Sequence, residues 1–252
     1  MSKAQKPLMY SGFHAVEALL RHRPEAVLEL FVQDSRAERE EPRLEAMIRA
    51  ARDVGIAVQR ARREVLEKHA GPQHQGIVAR ARPRRPADEN ALLKWLDGKP
   101  ANPFLLVLEN VTDPHNLGAC LRTAEAVGVD AVIIPRDRAA GLTAVARKAA
   151  AGSAERVPLV TVTNLSRTLE RLQTLGYWIT GLAGEAGETL YQADLTGPLV
   201  MVMGAEGEGM RRLTRERCDR LVRIPMAGRT ESLNVSVAAA VCLYEAWRQR
   251  HV

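Results

Sequence analysis

Aromatic residues are scarce in this chain. Phe, Trp and Tyr together make up 4% of its 252 residues, too few for a sheet that stacks successive single-stranded bases on aromatic faces. Cysteine is sparser still. Cys120, Cys218 and Cys242 are odd in number, far apart and in no C-x-x-C pair. That pattern argues against a disulfide framework or a cysteine zinc site and leaves buried thiols in a reducing compartment. No apolar run approaches the ~18 residues that span a bilayer. The polar start, Met1 to Tyr10, lacks the apolar core of a secretory signal. The expectation is a cytoplasmic protein without a membrane segment. No internal repeat, low-complexity tract or metal-ligand cluster stands out.

What the chain has is an ordinary core and an uneven excess of positive charge. Hydrophobic residues make up 46%, and the formal net charge is +6. Residues 1–82 carry 15 Lys+Arg against 11 Asp+Glu, whereas residues 101–252 carry 17 against 16. A basic surface attracts phosphates, and arginine supplies forked contacts to them. With so few aromatics, recognition of folded RNA by shape and backbone fits better than reading of single strands.

Two segments alternate strand-like and helix-like patterns. In the first, 12–20 reads as a short helix, 27–32 as a strand, 43–52 as a helix, and 56–59 and 75–81 as strands. Pro83-Arg84-Arg85-Pro86 interrupts this small α/β unit, Asp88 is placed to cap a short helix through Leu96, and Gly98-Lys99-Pro100 ends the segment. A linker is therefore expected over 83–100, between domains at 1–82 and 101–252. In the second segment Phe104–Leu108 is apolar without alternation, as in a parallel strand buried on both faces. Asp113-Pro114 marks a helix start, with Asp as N-cap and Pro in the first turn, and Gly128 a stop. Strands follow at 131–134, 159–162, 178–180, 199–203 and 221–224, with helices at 142–150, 165–175 (capped by Asn164), 209–217 and 233–249. This is a doubly wound α/β domain.

Three polar or glycine-rich stretches in that domain follow buried strands, where open α/β sheets bind ligands. The first runs from Asn110 through Thr112-Asp113-Pro114-His115-Asn116-Leu117-Gly118 to Arg122. It sets polar groups at the opening of a helix, with His115 read as ordinary polar packing. The second is Met203-Gly204-Ala205-Glu206-Gly207-Glu208-Gly209. Its glycines let the backbone approach a ligand closely, but it is neither G-x-G-x-x-G nor a Walker loop. The third is Ile224-Pro225-Met226-Ala227-Gly228, then Ser232-Leu233-Asn234-Val235-Ser236. Here a strand ends, a loop crosses and a helix begins, with Ser232 as the expected cap.

These three stretches, in this order, resemble the three motifs of the SpoU (TrmH-like) ribose methyltransferases of the SPOUT class, over about residues 103–250. The segments Tyr10-Ser11-Gly12-Phe13-His14-Ala15-Val16 and His74-Gln75-Gly76 resemble that family's amino-terminal RNA-binding domain, which is similar to ribosomal protein L30e. The resemblance is strongest to members that 2′-O-methylate a guanosine in the peptidyl-transferase P loop of 23S ribosomal RNA.

The resemblance implies an α/β fold with a trefoil-knotted, mostly parallel catalytic domain and a small L30e-like domain before it. It implies S-adenosyl-L-methionine as cofactor, no metal, 23S rRNA as partner, and a homodimer formed through the knotted domain. By the same resemblance, Asn116, Arg122, Glu206, Ser232 and Asn234 belong to catalysis or substrate placement. Gly204, Glu206, Gly207, Ile224, Met226, Ser232, Leu233 and Asn234 belong to the cofactor site. Arg229-Thr230-Glu231 is bulkier and more charged than the family pattern before Ser-Leu-Asn. Arg60, Arg62 and Arg63 suit a phosphate-tracking surface, and Arg211, Arg212, Arg215 and Arg217 a continuation of the RNA path. The alternatives are a transfer RNA or other ribosomal target, and a noncatalytic RNA-binding assembly factor.

Overall fold

Apolar spacing builds two separate cores. A computed structural model describes residues 6–37, 41–98, 102–205 and 207–251. It divides into one unit that holds the described residues up to Arg85 together with Arg147–Arg156, and a second that holds 86–146 and 157–251.

The first unit runs β1 (Leu8–Ser11), α1 (Phe13–His22), β2 (Val27–Gln33), α2 (Asp34–Ala37), α3 (Pro42–Asp53), β3 (Ala57–Ala61), α4 (Arg63–Ala70) and β4 (Ile77–Ala81). Its sheet has the order β1-β4-β2-β3, with β4 antiparallel to both neighbours and β3 parallel to β2. Val16 and Leu19 of α1 and Leu44 and Met47 of α3 cover one face, over Leu30, Val32, Ile77 and Ala79. The last strand begins at Ile77, not at residue 75, because His74-Gln75-Gly76 is a turn with φ of 55° at Gln75 and 79° at Gly76. The turn supplies what α1 lacks: Gln75 Oε1 accepts from Phe13 N at 3.0 Å, the place of an N-cap side chain that Gly12 does not have.

Residues 147–156 enter this unit through a buried ionic cluster. Glu155, 5% exposed, accepts from Arg147, 4% exposed, and from Arg23 at 2.7 Å. Its backbone carbonyl accepts from Arg84 Nη1 at 2.8 Å. Gly152 has φ of 91°, and a Cβ there would lie 2.7 Å from Ala18 Cβ and 2.8 Å from the His14 carbonyl. The expected division near 83–100 contains no such excursion.

The second unit begins inside the expected linker. Ala87 pairs with the backbone of Leu159 and Thr161, and α5 (Glu89–Leu96), capped by Asp88 on Ala91 N at 2.8 Å, buries Leu92 and Leu96 in the second core. Residues 86–98 are therefore folded domain, because apolar side chains follow the cap at helical spacing. Residues 99–101 of the expected linker lie outside the described residues.

Then come β5 (Phe104–Leu108), α6 (Pro114–Ala126), β6 (Ala131–Pro135), α7 (Ala144–Ala149), β7 (Leu159–Val162), α8 (Leu165–Thr174), β8 (Trp178–Leu182), β9 (Glu188–Thr189), β10 (Leu199–Met203), α9 (Arg212–Glu216), β11 (Arg220–Arg223) and α10 (Val235–His251). The sheet order is β7-β6-β5-β10-β8-β11-β9, and every pairing in it is parallel. All five residues of β5 and of β10 are buried, as their unbroken apolar runs require. The chain winds outward from β5 through β6 to β7, crosses to β8 and the edge strand β9, returns to lay β10 between β5 and β8, and ends with β11 between β8 and β9. The strand order thus reverses between β5 and β10, the place where such sheets open a crevice.

Candidate active site

The loops that follow β8, β10 and β11, with the start of α10, enclose a cleft of about 430 Å³. The loop after β10 is drawn tight. Ala205 N donates to the Gly209 carbonyl at 3.0 Å, and Gly209 N donates back to the Ala205 carbonyl at 2.9 Å. Gly207 and Gly209 take φ of 80° and 67°, conformations that cost glycine little. This closure is why α9 starts at Arg212 and not at the expected 209. Met203, Gly204, Gly207 and Gly209 face the cleft beside Ile224, Met226, Ser232 and Leu233. Apolar side chains and glycines thus share the wall with the charged residues Glu185, Glu208, Arg215 and Glu231.

The loop after β5 joins the site from the other side. Asp113 caps α6 by accepting from His115 N at 2.9 Å, with Pro114 at the first helical position. Asn116, in the first turn, accepts at Oδ1 from Asn234 Nδ2 at 3.1 Å. Asn234 in turn accepts at its own Oδ1 from Ser236 N at 2.9 Å and Ser236 Oγ at 2.6 Å. The cap of α10 is thus Asn234, not the expected Ser232, because Asn234 directly precedes the first helical residue, Val235. One side chain caps a helix and ties the first motif to the third.

The structure brings Gly204, Gly207, Ile224, Met226, Ser232 and Leu233 to one cleft, and Asn116 to Asn234 beside it. Arg122 does not line the cleft. Six residues after Asn116 on α6, it points about 120° away around the helix. It is exposed and makes no ion pair among the described residues. Glu206 lies outside the described residues. Glu231, the departure from the family pattern, lines the cleft. Of the arginines after the glycine loop, Arg212 pairs with Glu216 at 2.6 Å and Arg217 with Glu170 at 3.2 Å, so their charge is partly spent locally.

Sequence reading missed two features here. Leu182, Ala183, Gly184 and Glu185 form a further wall of the cleft. The only signal was an apolar strand running into alternating Ala and Gly. A backbone hydrogen bond within the Glu185 turn, and then its partner Arg215, hold the Glu185 carboxyl below the usual carboxylate range. The second feature is Glu109, 2% exposed at the end of β5. It accepts from Arg211 N at 2.9 Å and from Thr214 Oγ1 at 2.6 Å. Burial pushes the thiols of Cys120, Cys218 and Cys242 up to about 12, so they are protonated near neutrality and offer no thiolate nucleophile. Among the described residues no group of three or more His, Cys, Asp or Glu is placed to hold a metal ion, and no helix is long and apolar enough to cross a membrane.

Residues 103–244 match the SpoU rRNA Methylase family, and residues 11–87 match the RNA 2'-O ribose methyltransferase substrate binding family. A protein of Pseudomonas putida described as 23S rRNA (guanosine-2'-O-)-methyltransferase RlmB is 54% identical over 241 residues, 96% of each chain. One of Escherichia coli with the same description is 56% identical over 246 residues, 96% of this chain and 98% of its own. Among solved structures, an RNA 2'-O ribose methyltransferase superposes with a TM-score of 0.78 at 26% identity, over 98% of this chain and 90% of its own. The SpoU methyltransferase AviRb of Streptomyces viridochromogenes, solved with AdoMet, shares the fold with the same TM-score at 22% identity, over 97% and 91%.

Proposed function

The chain belongs to the SpoU rRNA Methylase family, and from that membership we propose that it transfers a methyl group from S-adenosyl-L-methionine to a ribose 2′-hydroxyl, that of a guanosine in the peptidyl-transferase P loop of 23S rRNA. The observation that carries the reading is the span of the similarity. The guanosine methyltransferases of P. putida and E. coli match through both the substrate-binding and the methylase segments, at nearly equal length. A catalytic segment alone carries no target information, so agreement through the amino-terminal unit is what favours 23S rRNA.

The cleft fits the cofactor in its lining. Its volume is within the range of small-ligand pockets. Leu182, Ile224 and Leu233 offer apolar surface to an aromatic ring, and the backbone of the glycine loop and of residues 224–226 offers polar groups at fixed positions. When bound, S-adenosylmethionine supplies an electrophilic methyl group on a sulfonium. The protein's task is alignment and electrostatics. Asn116 and Asn234 orient the ribose in this reading, which the hydrogen bond between their side chains supports. Arg122 stabilises the charge that develops on O2′ and holds a neighbouring phosphate in its fork. Its guanidinium has a pKa above ~12 and does not act as the base. Arg122→Lys is therefore expected to lose at least about tenfold in methylation with cofactor affinity unchanged, since lysine does not reproduce the fork. Near-normal methylation by that variant contradicts the assignment.

Because Arg122 points away from its own chain's cleft, a homodimer in which each protomer's arginine serves its partner belongs to the same proposal. Val237, Tyr244 and Trp247 lie on one exposed face of α10 and suit such an interface. The trefoil threading of the family, a cytoplasmic location and RNA reading by residues 1–82 complete it. Arg60, Arg62 and Arg63 are exposed at the end of β3 and the start of α4, where a phosphate backbone has access to them.

The test is label transfer from S-adenosylmethionine to unmodified 23S rRNA, 16S rRNA and transfer RNA in parallel. Label in 23S rRNA alone is expected. Label in another RNA keeps the chemistry and replaces the target. No label together with no cofactor binding favours a noncatalytic assembly factor.

A further inference from the structure

We propose that Glu109 is a positioning residue for the glycine-rich loop at residues 204–210, and that through this loop it sets cofactor affinity. The inference rests on reading the cleft as the S-adenosylmethionine site. Glu109 is nearly sealed from solvent at the end of β5, and no cation pairs with it among the described residues. A buried carboxylate without a counterion is expensive to keep unless its oxygens are hydrogen-bonded. Both are bonded, one donor at the residue that follows the loop and the other in α9, the helix the loop leads into. Arg211 N donates to Oε2 and Thr214 Oγ1 donates to Oε1.

The entry of the loop is held by the same residue's backbone, since Glu109 N donates to the carbonyl of Met203 at 2.8 Å. Glu109 therefore grips the loop at both ends, from the strand that carries the first motif. Between the two grips the loop is closed by the Ala205–Gly209 pair, and it presents Gly204 and Gly207 to the cleft. Among the described residues of the loop, Ala205, Gly207, Glu208 and Gly209 are not buried and Met210 packs against the second core, so the loop's position depends on the two grips together with Met210. Glu109 does not line the cleft, so it acts through the loop and not on the ligand.

The geometry separates shape from charge. A glutamine at 109 can accept from Arg211 N with its oxygen and donate to Thr214 Oγ1 with its amide, because a hydroxyl works as either partner. An alanine makes neither bond. The test is calorimetric titration of the full-length chain with S-adenosylmethionine and with S-adenosylhomocysteine, alongside steady-state methylation. Glu109→Ala is expected to weaken both ligands by about tenfold or more, and Thr214→Val by about threefold, in line with the loss of two buried hydrogen bonds and of one. Glu109→Gln is expected to stay within about threefold of the parent. In Thr214→Val the KM for cofactor rises while kcat at saturation holds, a split that general loss of fold does not produce.

The inference is overturned if a folded Glu109→Ala chain, or Thr214→Val where the alanine variant does not fold, binds both ligands within about twofold of the parent. It is also overturned if Glu109→Gln is as weak as alanine, which would make charge the cause. If the parent chain binds neither ligand, the cofactor reading fails first and this inference with it.

Discussion

Gly204 is the point at which a single added methyl group, that of alanine, meets the cleft proposed for the cofactor. A Cβ there would lie 2.2 Å from Gly209 C, 2.3 Å from Met210 N and 2.5 Å from Gly209 O. Non-bonded carbon contacts settle near ~3.5 Å, so in Gly204→Ala the backbone at 209–210 must retreat by roughly 1 Å. The neighbours are main chain and cannot rotate aside. That retreat pulls Gly209 away from Ala205 and breaks the pair of hydrogen bonds that closes the loop. Each is worth about 0.5–1.5 kcal/mol net, so the loop loses about 1–3 kcal/mol of its organisation. If the ligand must restore it on binding, affinity falls roughly 5- to 150-fold. The assay is calorimetric titration of Gly204→Ala with S-adenosylhomocysteine, with a thermal melt as control. The melting temperature is expected to fall by no more than the roughly 2–12 °C that a loss of about 1–3 kcal/mol gives a chain of this size, so the variant stays folded at the temperature of the titration. Parent-like affinity in the variant would refute the argument that the site requires this close approach.

Three further outcomes follow from other parts of the molecule. Glu155→Ala leaves Arg147 buried without its carboxylate and is expected to cost about 3–5 kcal/mol in urea unfolding; a loss below about 1 kcal/mol would contradict the cluster's structural role. Burial holds the His74 imidazole below its ordinary value of 6.5, so the folded state binds fewer protons than the unfolded state in that range. The contribution is full above about pH 6.5 and is lost as pH falls toward the folded value. Taking the chain from about pH 7.5 to 5.5 should therefore destabilise it more than it destabilises His74→Gln, and equal losses would contradict the assignment. Asn234→Ala should cost about 1 kcal/mol through the lost cap. Asn234→Ser should keep the cap but lose the bond to Asn116, so it should recover stability and not methylation. Full activity in the serine variant would separate that bond from catalysis.

Much of the second unit was legible because its signals are local. Phe104–Leu108 and Leu199–Met203 are unbroken apolar runs, and strands buried on both faces leave no other pattern. Asp88, Asp113 and Asn164 each stand directly before a helix and each accepts from its first turn. What stayed hidden depends on partners distant in sequence. α4 buries only Leu66 and shows no apolar stripe, so nothing in residues 63–70 signals a helix beyond propensity. The strand at Ile77 starts late because of a side chain 62 residues away from the backbone it caps. Nothing local marks Arg147 and Glu155 as buried, because their burial depends on Arg23 and Arg84, distant in sequence, closing around them.

The site divides in the same way. The glycine loop and the Ser-Leu-Asn stretch announce themselves by composition. Glu109 is one acidic residue after an apolar strand, and its meaning lies in Arg211 and Thr214, over 100 residues on. The wall at 182–185 follows a strand whose extent was read two residues short. Asn234 was expected at the site, but its bond to Asn116 joins residues 118 apart, and only the packing of α10 on α6 brings them together.

The account stands or falls on the nucleotide modified. Unmodified 23S rRNA, incubated with the full chain and S-adenosylmethionine, should be digested to nucleosides and also mapped along its length for ribose 2′-O-methylation. The account predicts one new 2′-O-methylguanosine, placed in the peptidyl-transferase P loop and formed at least about tenfold more slowly by Arg122→Lys. A methyl group on a base, on another nucleoside, or outside that loop would contradict it.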